Sequence, residues 1–101
     1  MKVVMVCSGG MSSAIVVKAI LKEAEKQGFD LDMIAVGSGE VEETLNQGDY
    51  ELLLVAPQVK HQFSRYEELA KEKNIPIELV APTGYTPIGA PKTLEQIKKH
   101  K

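Results

Sequence analysis

Apolar positions along the chain follow two rhythms. Val3-Val4-Met5-Val6 and Leu52-Leu53-Leu54-Val55 are unbroken apolar runs, the pattern of strands buried on both faces of a parallel sheet. Between them the spacing becomes helical. Val17, Ile20, Leu21 and Ala24 recur at i, i+3, i+4 and i+7, which predicts a helix from about Ser12 to Gln27 with Gly28 as its C′ residue. Leu31 to Val36 reads as a second strand despite its polar start. Gly37-Ser38-Gly39 is then a loop, and Glu40, Glu42 and Glu43 place acidic groups in the first turn of a short helix, where they complement the dipole. Asn46 to Asp49 breaks the chain before the third strand, Tyr50 to Val55. Ala56-Pro57-Gln58 leads into a helix reaching about Lys73, striped by Val59, Phe63, Tyr66 and Ala70, with Asn74 able to cap its end.

Ile77 to Val80 supplies a fourth strand. Ala81 to Pro91 contains three prolines and two glycines and reads as an irregular loop. Thr93-Leu94-Glu95-Gln96 carries the capping-box pattern, so the last helix is expected to start there, with Leu94 and Ile97 facing inward. Strands alternating with helices predict an α/β fold with a parallel, doubly wound sheet. With no internal repeat, linker or low-complexity tract, residues 1–101 are expected to form a single domain. In such sheets ligands bind beyond the carboxyl ends of the strands. Those ends are Cys7, Gly37, Ala56-Pro57 and Ala81-Pro82.

Composition narrows the chemistry. The 101 residues are 44% hydrophobic and 26% charged, which fits an ordered core without disulfides or a structural metal. The net charge of −2 comes from mixed signs with no basic block, which argues against nucleic acid as a partner. Cys7 is the single cysteine, so no internal disulfide can form, and a lone thiol fits a reducing, cytoplasmic setting. The apolar run before Cys7 is too short for a signal peptide, and nothing approaches the ~20 apolar residues of a membrane span. A membrane role is expected only through a partner. Two distant histidines and one cysteine make no recognisable metal site, and no cofactor is implied.

The densest chemistry is Cys7-Ser8-Gly9-Gly10-Met11-Ser12-Ser13, a strand end running into a helix. Adjacent glycines let the backbone turn successive N–H groups inward, which makes a nest for an anion. A helix N-terminus adds unpaired donors and a positive dipole end. Ser8, Ser12 and Ser13 add hydroxyls. The same field favours a thiolate, so one loop prepares a nucleophilic sulfur and cradles the phosphate it receives. The plainer alternative is an inert core cysteine followed by a tight turn. The loop is neither a Walker A motif nor a dinucleotide fingerprint. A cysteine phosphatase of the low-molecular-weight tyrosine type has Cys, five residues, then Arg; here Ser13 occupies the Arg position and the phosphate-gripping guanidinium is missing. None of Asp30, Asp32 and Asp49 precedes a proline as that family's general acid does.

The segment Lys2 to Ser13 resembles the opening of IIB components of the lactose/cellobiose phosphotransferase family, whose pattern is close to Cys-Ser-(Ala/Gly)-Gly-Met-Ser-(Ser/Thr)-Ser. Ala56-Pro57-Gln58 resembles that family's Gly/Ala-Pro-Gln, and the likeness extends over nearly the whole chain. Ala14 departs from it, standing where the family often has a further Ser or Thr. The resemblance implies a four-stranded parallel sheet in order 2-1-3-4 with helices on both faces, similar to flavodoxin and to the small tyrosine phosphatases. It implies a phosphocarrier: phosphohistidine on a IIA partner donates to the Cys7 thiolate, and phosphocysteine donates to a sugar, such as cellobiose, chitobiose or lactose, held by a membrane IIC component. It further implies phosphate contacts from residues 8 to 13 and a sulfur that partner proteins can reach.

Pro57, Gln58, His61 and Tyr85 fall near the predicted strand ends and are candidate partner contacts. The plainer reading of His61 is a solvated helix residue; Tyr85 either gates the site or packs as a loop aromatic, and Met11 either meets a partner or joins the core. His100, in a Lys-rich tail, reads as inert. Two other functions stay open. One is a phosphatase or arsenate reductase using Cys7, although no second cysteine is present to resolve it. The other is a non-catalytic regulatory module that binds through the same face.

Overall fold

A computed structural model describes residues 1–8 and 11–100, with the side chains of residues 11–13 outside the description. Four strands, β1 (Lys2–Cys7), β2 (Asp32–Gly37), β3 (Leu52–Val55) and β4 (Ile77–Leu79), form one parallel sheet in the order β2-β1-β3-β4. This is the order that the family resemblance implies. The two unbroken apolar runs occupy the two central positions. Val3 to Val6 and Leu52 to Val55 are all fully buried, because helices cover both faces there.

Helix α1 (Met11–Lys26) and the final helix α4 (Ala90–Lys98) pack on one face, where Val16, Val17, Ile20, Leu94 and Ile97 meet Val3, Met5, Leu52 and Leu54. On the other face α2 (Val41–Gln47) and α3 (Phe63–Glu72) bring Val41, Leu45, Tyr66 and Ala70 against Val4, Val6, Leu53 and Val55. Alternation along the strands sorts these residues: Val3 and Met5 of β1 face one helix layer and Val4 and Val6 the other. Among the described residues, no helix is long and apolar enough to cross a membrane.

Two helix ends use the same device. Gly28 adopts φ 71° after α1, and the Phe29 N–H bonds back to the Ala24 carbonyl at 2.8 Å. Asn74 adopts φ 56° after α3, and Ile75 bonds back to Ala70 at 3.0 Å. Both are left-handed caps, with Gly and Asn at the positions where such a cap favours them. The expected roles of Gly28 and Asn74 therefore hold.

Three local expectations are corrected. The third helix does not run smoothly from Gln58: Pro57–Gln62 is a 3₁₀ segment broken at Val59 (φ −117°, ψ 20°), and α3 begins at Phe63. Ala81 to Pro91 is not wholly irregular, since Pro82–Gly84 forms a 3₁₀ turn and α4 has already begun at Ala90. Thr93 is therefore inside the helix and caps nothing. Its buried hydroxyl donates to the Gly84 carbonyl at 2.7 Å, pinning the loop to the helix. Pro91, acceptable in a first helical turn, allows the earlier start.

His100 is not inert. Its Nε2 pairs with Glu78 Oε2 on edge strand β4, and Gln96 Nε2 donates to Glu78 Oε1 at 2.7 Å and to the Leu79 carbonyl at 2.9 Å. These bonds tie the C-terminal helix to the sheet edge.

Candidate functional site

Cys7 is the last residue of β1, next to the switch point where the chain order reverses from strand 2-1 to strand 3. Its register partner on β2 is Gly37, and β3 stops at Val55, the partner of Val6. Three of the four strand ends thus converge beside the sulfur. Helix α1 begins four residues later, at Met11, so its positive dipole end lies at the same edge of the sheet.

The sulfur is not open to bulk solvent. Cys7 is 3% exposed, and its Sγ donates to the backbone carbonyl of Val36 at 3.4 Å. This differs from the reachable sulfur that the sequence led us to expect. The thiol is turned sideways toward β2, where a carbonyl at the strand's end accepts its proton. A hollow of ≈ 470 Å³ nevertheless runs along this side of the molecule, and Cys7 forms part of its wall. Helix α1 contributes Ala14, Val17, Lys18 and Leu21, residues 34–37 of β2 form the opposite wall, and Glu40 lies at the rim.

The candidate phosphate contacts are only partly visible. Ser8 is exposed beside Cys7. Gly9 and Gly10, and the side chains of Met11, Ser12 and Ser13, lie outside the described residues. Ala14, the position that departs from the family pattern, is exposed on the first turn of α1.

The candidate partner contacts sit on a different side of Cys7. Pro57 is half-buried, while Gln58 and His61 are exposed on the 3₁₀ segment that follows β3. Cys7 packs in the same apolar cluster as Ala56 and Val59, which places the start of that segment next to it. His61 Nε2 lies 3.3 Å from the Gln62 side-chain amide, consistent with a solvated surface role. Tyr85 is half-buried and packs against both apolar clusters, as a loop aromatic does. None of Pro57, Gln58, His61 and Tyr85 lines the hollow. Lys18 and Glu40, which do, were not singled out from the sequence; Lys18 had only its place on α1 beside Val17 as a signal, and Glu40 its nearness to the end of β2.

Among the described residues, no group of His, Cys, Asp and Glu side chains is placed to hold a metal ion. What the arrangement offers is one sulfur nucleophile at a strand end, an approaching helix N-terminus, and no arginine at position 13 to grip a phosphate.

Comparison with known proteins agrees with this geometry. A family model described as "PTS system, Lactose/Cellobiose specific IIB subunit" matches residues 2–96. The oligo-beta-mannoside-specific EIIB component of the PTS system from Bacillus subtilis (strain 168) is 27% identical over 95 residues, covering 94% of this chain and 90% of that protein. The cellobiose-specific phosphotransferase IIB component from Borrelia burgdorferi superimposes with a TM-score of 0.76 at 28% identity, over 99% of this chain and 90% of that one. The lactose-specific IIB domain from Streptococcus pneumoniae gives a TM-score of 0.84 at 22% identity, over 99% and 96% of the two chains, a likeness of fold.

Proposed function

The chain belongs to the lactose/cellobiose-specific IIB subunit family of the PTS, and on that premise we propose that Cys7 carries a phosphoryl group between two partner proteins. A IIA component with a phosphorylated histidine is the donor. A sugar bound by a membrane IIC component is the acceptor, and a β-disaccharide is the substrate class. The chain would do this work in the cytoplasm, where its thiol stays reduced.

The observation that carries this reading is the placement of the only thiol at the carboxyl end of central strand β1, four residues before the N-terminus of α1. In the first step the donor's N–P bond breaks and an S–P bond forms at Cys7. The thiol proton passes to the departing imidazole nitrogen, so charge and atoms balance. In the second step a sugar hydroxyl attacks phosphorus, the S–P bond breaks, and the hydroxyl proton passes to the departing sulfur, which restores the thiol. Main-chain N–H groups of residues 8 to 13 and the dipole of α1 stabilise the phosphoryl oxygens. For the thiol to reach a donor, it must first turn away from Val36.

The absence of Arg at position 13 separates this reading from a phosphatase, which must stabilise attack by water on the same intermediate. The test is sugar phosphorylation in a mixture of phosphoenolpyruvate, the general phosphotransferase proteins, the matching IIA and membranes containing IIC. The chain is expected to be required, and Cys7→Ala to abolish the product. Sugar phosphorylation that persists with Cys7→Ala would refute the proposal, as would turnover of an aryl phosphate by the isolated chain that depends on Cys7.

A further inference from the structure

Cys7 and Lys18 line one hollow, and the chain between them carries no charged side chain. Ser13 stands where a phosphate-gripping arginine would, so the loop itself supplies no cation. Lys18 is the first cation after the sulfur. Among the described residues it is also the one cation in the wall of that hollow. It is exposed, and among the described residues it enters no ion pair.

Helix geometry aims Lys18 at the loop. Residues four apart share one face of a helix, and each side chain leans over the turn N-terminal to its own Cα. Lys18 therefore leans along α1 over Ala14, toward the helix start at Met11 and the loop behind Cys7. Ala14 carries only a methyl group, is exposed, and leaves that path open. One turn further on, Lys22 has the same charge but lines a different hollow, with Ile88 and Pro91. Glu40 lies at the opposite rim and is, among the described residues, the one anion of the Cys7 hollow. A phosphoryl dianion between the two is drawn to the Lys18 side and repelled by Glu40.

Resting on the relay reading above, we infer that Lys18 folds over Ala14 onto the phosphoryl group of phosphocysteine and holds it by a charge-assisted hydrogen bond. It supplies, from one turn away, the side-chain donor that position 14 lacks. No bond is made or broken by it. The contact exists only in the phosphorylated form, because a neutral thiol gives an ammonium group nothing to pair with. Lys18 therefore shifts the equilibrium between donor and chain. A residue that only docks a partner changes how fast that equilibrium is reached and leaves its position alone, since the separated proteins are the same at both ends.

The test uses this difference. Phosphorylated IIA, freed of its own donor, is mixed with the chain, and the phosphoryl group on each protein is counted at equilibrium by intact mass. The second ionisation of the phosphocysteine is followed by ³¹P NMR. The variants are Lys18→Met, Lys18→Arg and Lys22→Met, all at exposed helix positions and all with good helix formers. Lys18→Met is expected to lower the equilibrium constant about threefold, the scale of a partly solvated ion pair. It is expected to raise the midpoint of the phosphoryl ionisation by about 0.5 pH unit, because the cation favours the dianion. Lys18→Arg keeps the charge and is expected to stay within about 1.5-fold of the wild type. Lys22→Met is expected to match the wild type. An unchanged equilibrium and midpoint in Lys18→Met would overturn the inference and leave the relay intact. An equal loss in Lys22→Met would overturn it too, by showing a diffuse field, as would a loss in Lys18→Arg as large as that in Lys18→Met. If the wild type takes no phosphoryl group from phosphorylated IIA, the relay reading itself fails and this inference goes with it.

Discussion

The thiol of Cys7 donates a hydrogen bond to the carbonyl of Val36 across 3.4 Å, joining the end of β1 to the neighbouring edge strand. A carbonyl accepts from a thiol and repels a thiolate, so only the thiol form can make this bond. Combined with the burial of Cys7, it means that the sulfur is stored rather than displayed. Reaction at the sulfur then requires the side chain to leave this position, which has a direct chemical consequence.

Alkylation of Cys7 by N-ethylmaleimide is expected to run at least about tenfold slower in the folded chain than in urea at the same pH, because burial limits access. Intact-mass time courses measure both rates. Equal rates would show a sulfur already free to react.

The loop after β4 is held by close backbone packing. A Cβ on Gly89 would lie 2.1 Å from the Thr83 carbonyl oxygen, a backbone atom that cannot step aside as a side chain can. Gly89→Ala is expected to destabilise the fold by about 2 kcal/mol or more, since the loop must shift. Thr93→Val removes the buried bond to Gly84 and leaves that carbonyl without its partner, at an expected cost of about 1–3 kcal/mol. Urea denaturation of both variants supplies the comparison; a loss below about 0.5 kcal/mol in both would show that the loop is not pinned.

The C-terminal tie predicts a pH dependence. Burial pushes the Glu78 carboxyl upward, but the Gln96 and His100 hydrogen bonds and the nearby charges of His100 and Lys99 outweigh it, leaving the group below its ordinary 4.5. A carboxyl depressed in the folded state contributes stability that is present above its unfolded value and is lost as pH falls through the folded one. Glu78→Gln is therefore expected to cost roughly 0.5–1 kcal/mol near neutrality, discounted because the pair is partly solvated. The difference from wild type should shrink as pH falls below 4.5. Urea midpoints across that range test it; a difference that grows toward acid would reverse the sign of the argument.

The central sheet was legible because its information is local. Val3 to Val6 and Leu52 to Val55 are apolar without interruption, and only a strand covered on both faces uses such a run. The helix caps at Gly28 and Asn74 were legible for the same reason. The strand order came from family resemblance, since periodicity does not order strands. Thr93 was misread because its capping-box spacing is identical whether it starts a helix or lies within one; what decides is a bond to Gly84, made through tertiary packing. The Glu78–His100 pair spans a strand and a helix that sequence does not place together. At the site, the position of Cys7 at a strand end could be read directly. The direction of its sulfur could not, because that depends on a carbonyl of a neighbouring strand 29 residues away.

The most direct test is to locate the phosphoryl group itself. The chain is incubated with phosphoenolpyruvate, the general phosphotransferase proteins and the matching IIA, digested under conditions that preserve thiophosphate, and mapped by tandem mass spectrometry. One added PO₃ on the peptide containing Cys7, labile to iodine and missing in Cys7→Ser, is the predicted result. An unmodified Cys7 with active partners, or a phosphoryl group on any other residue, would contradict the account.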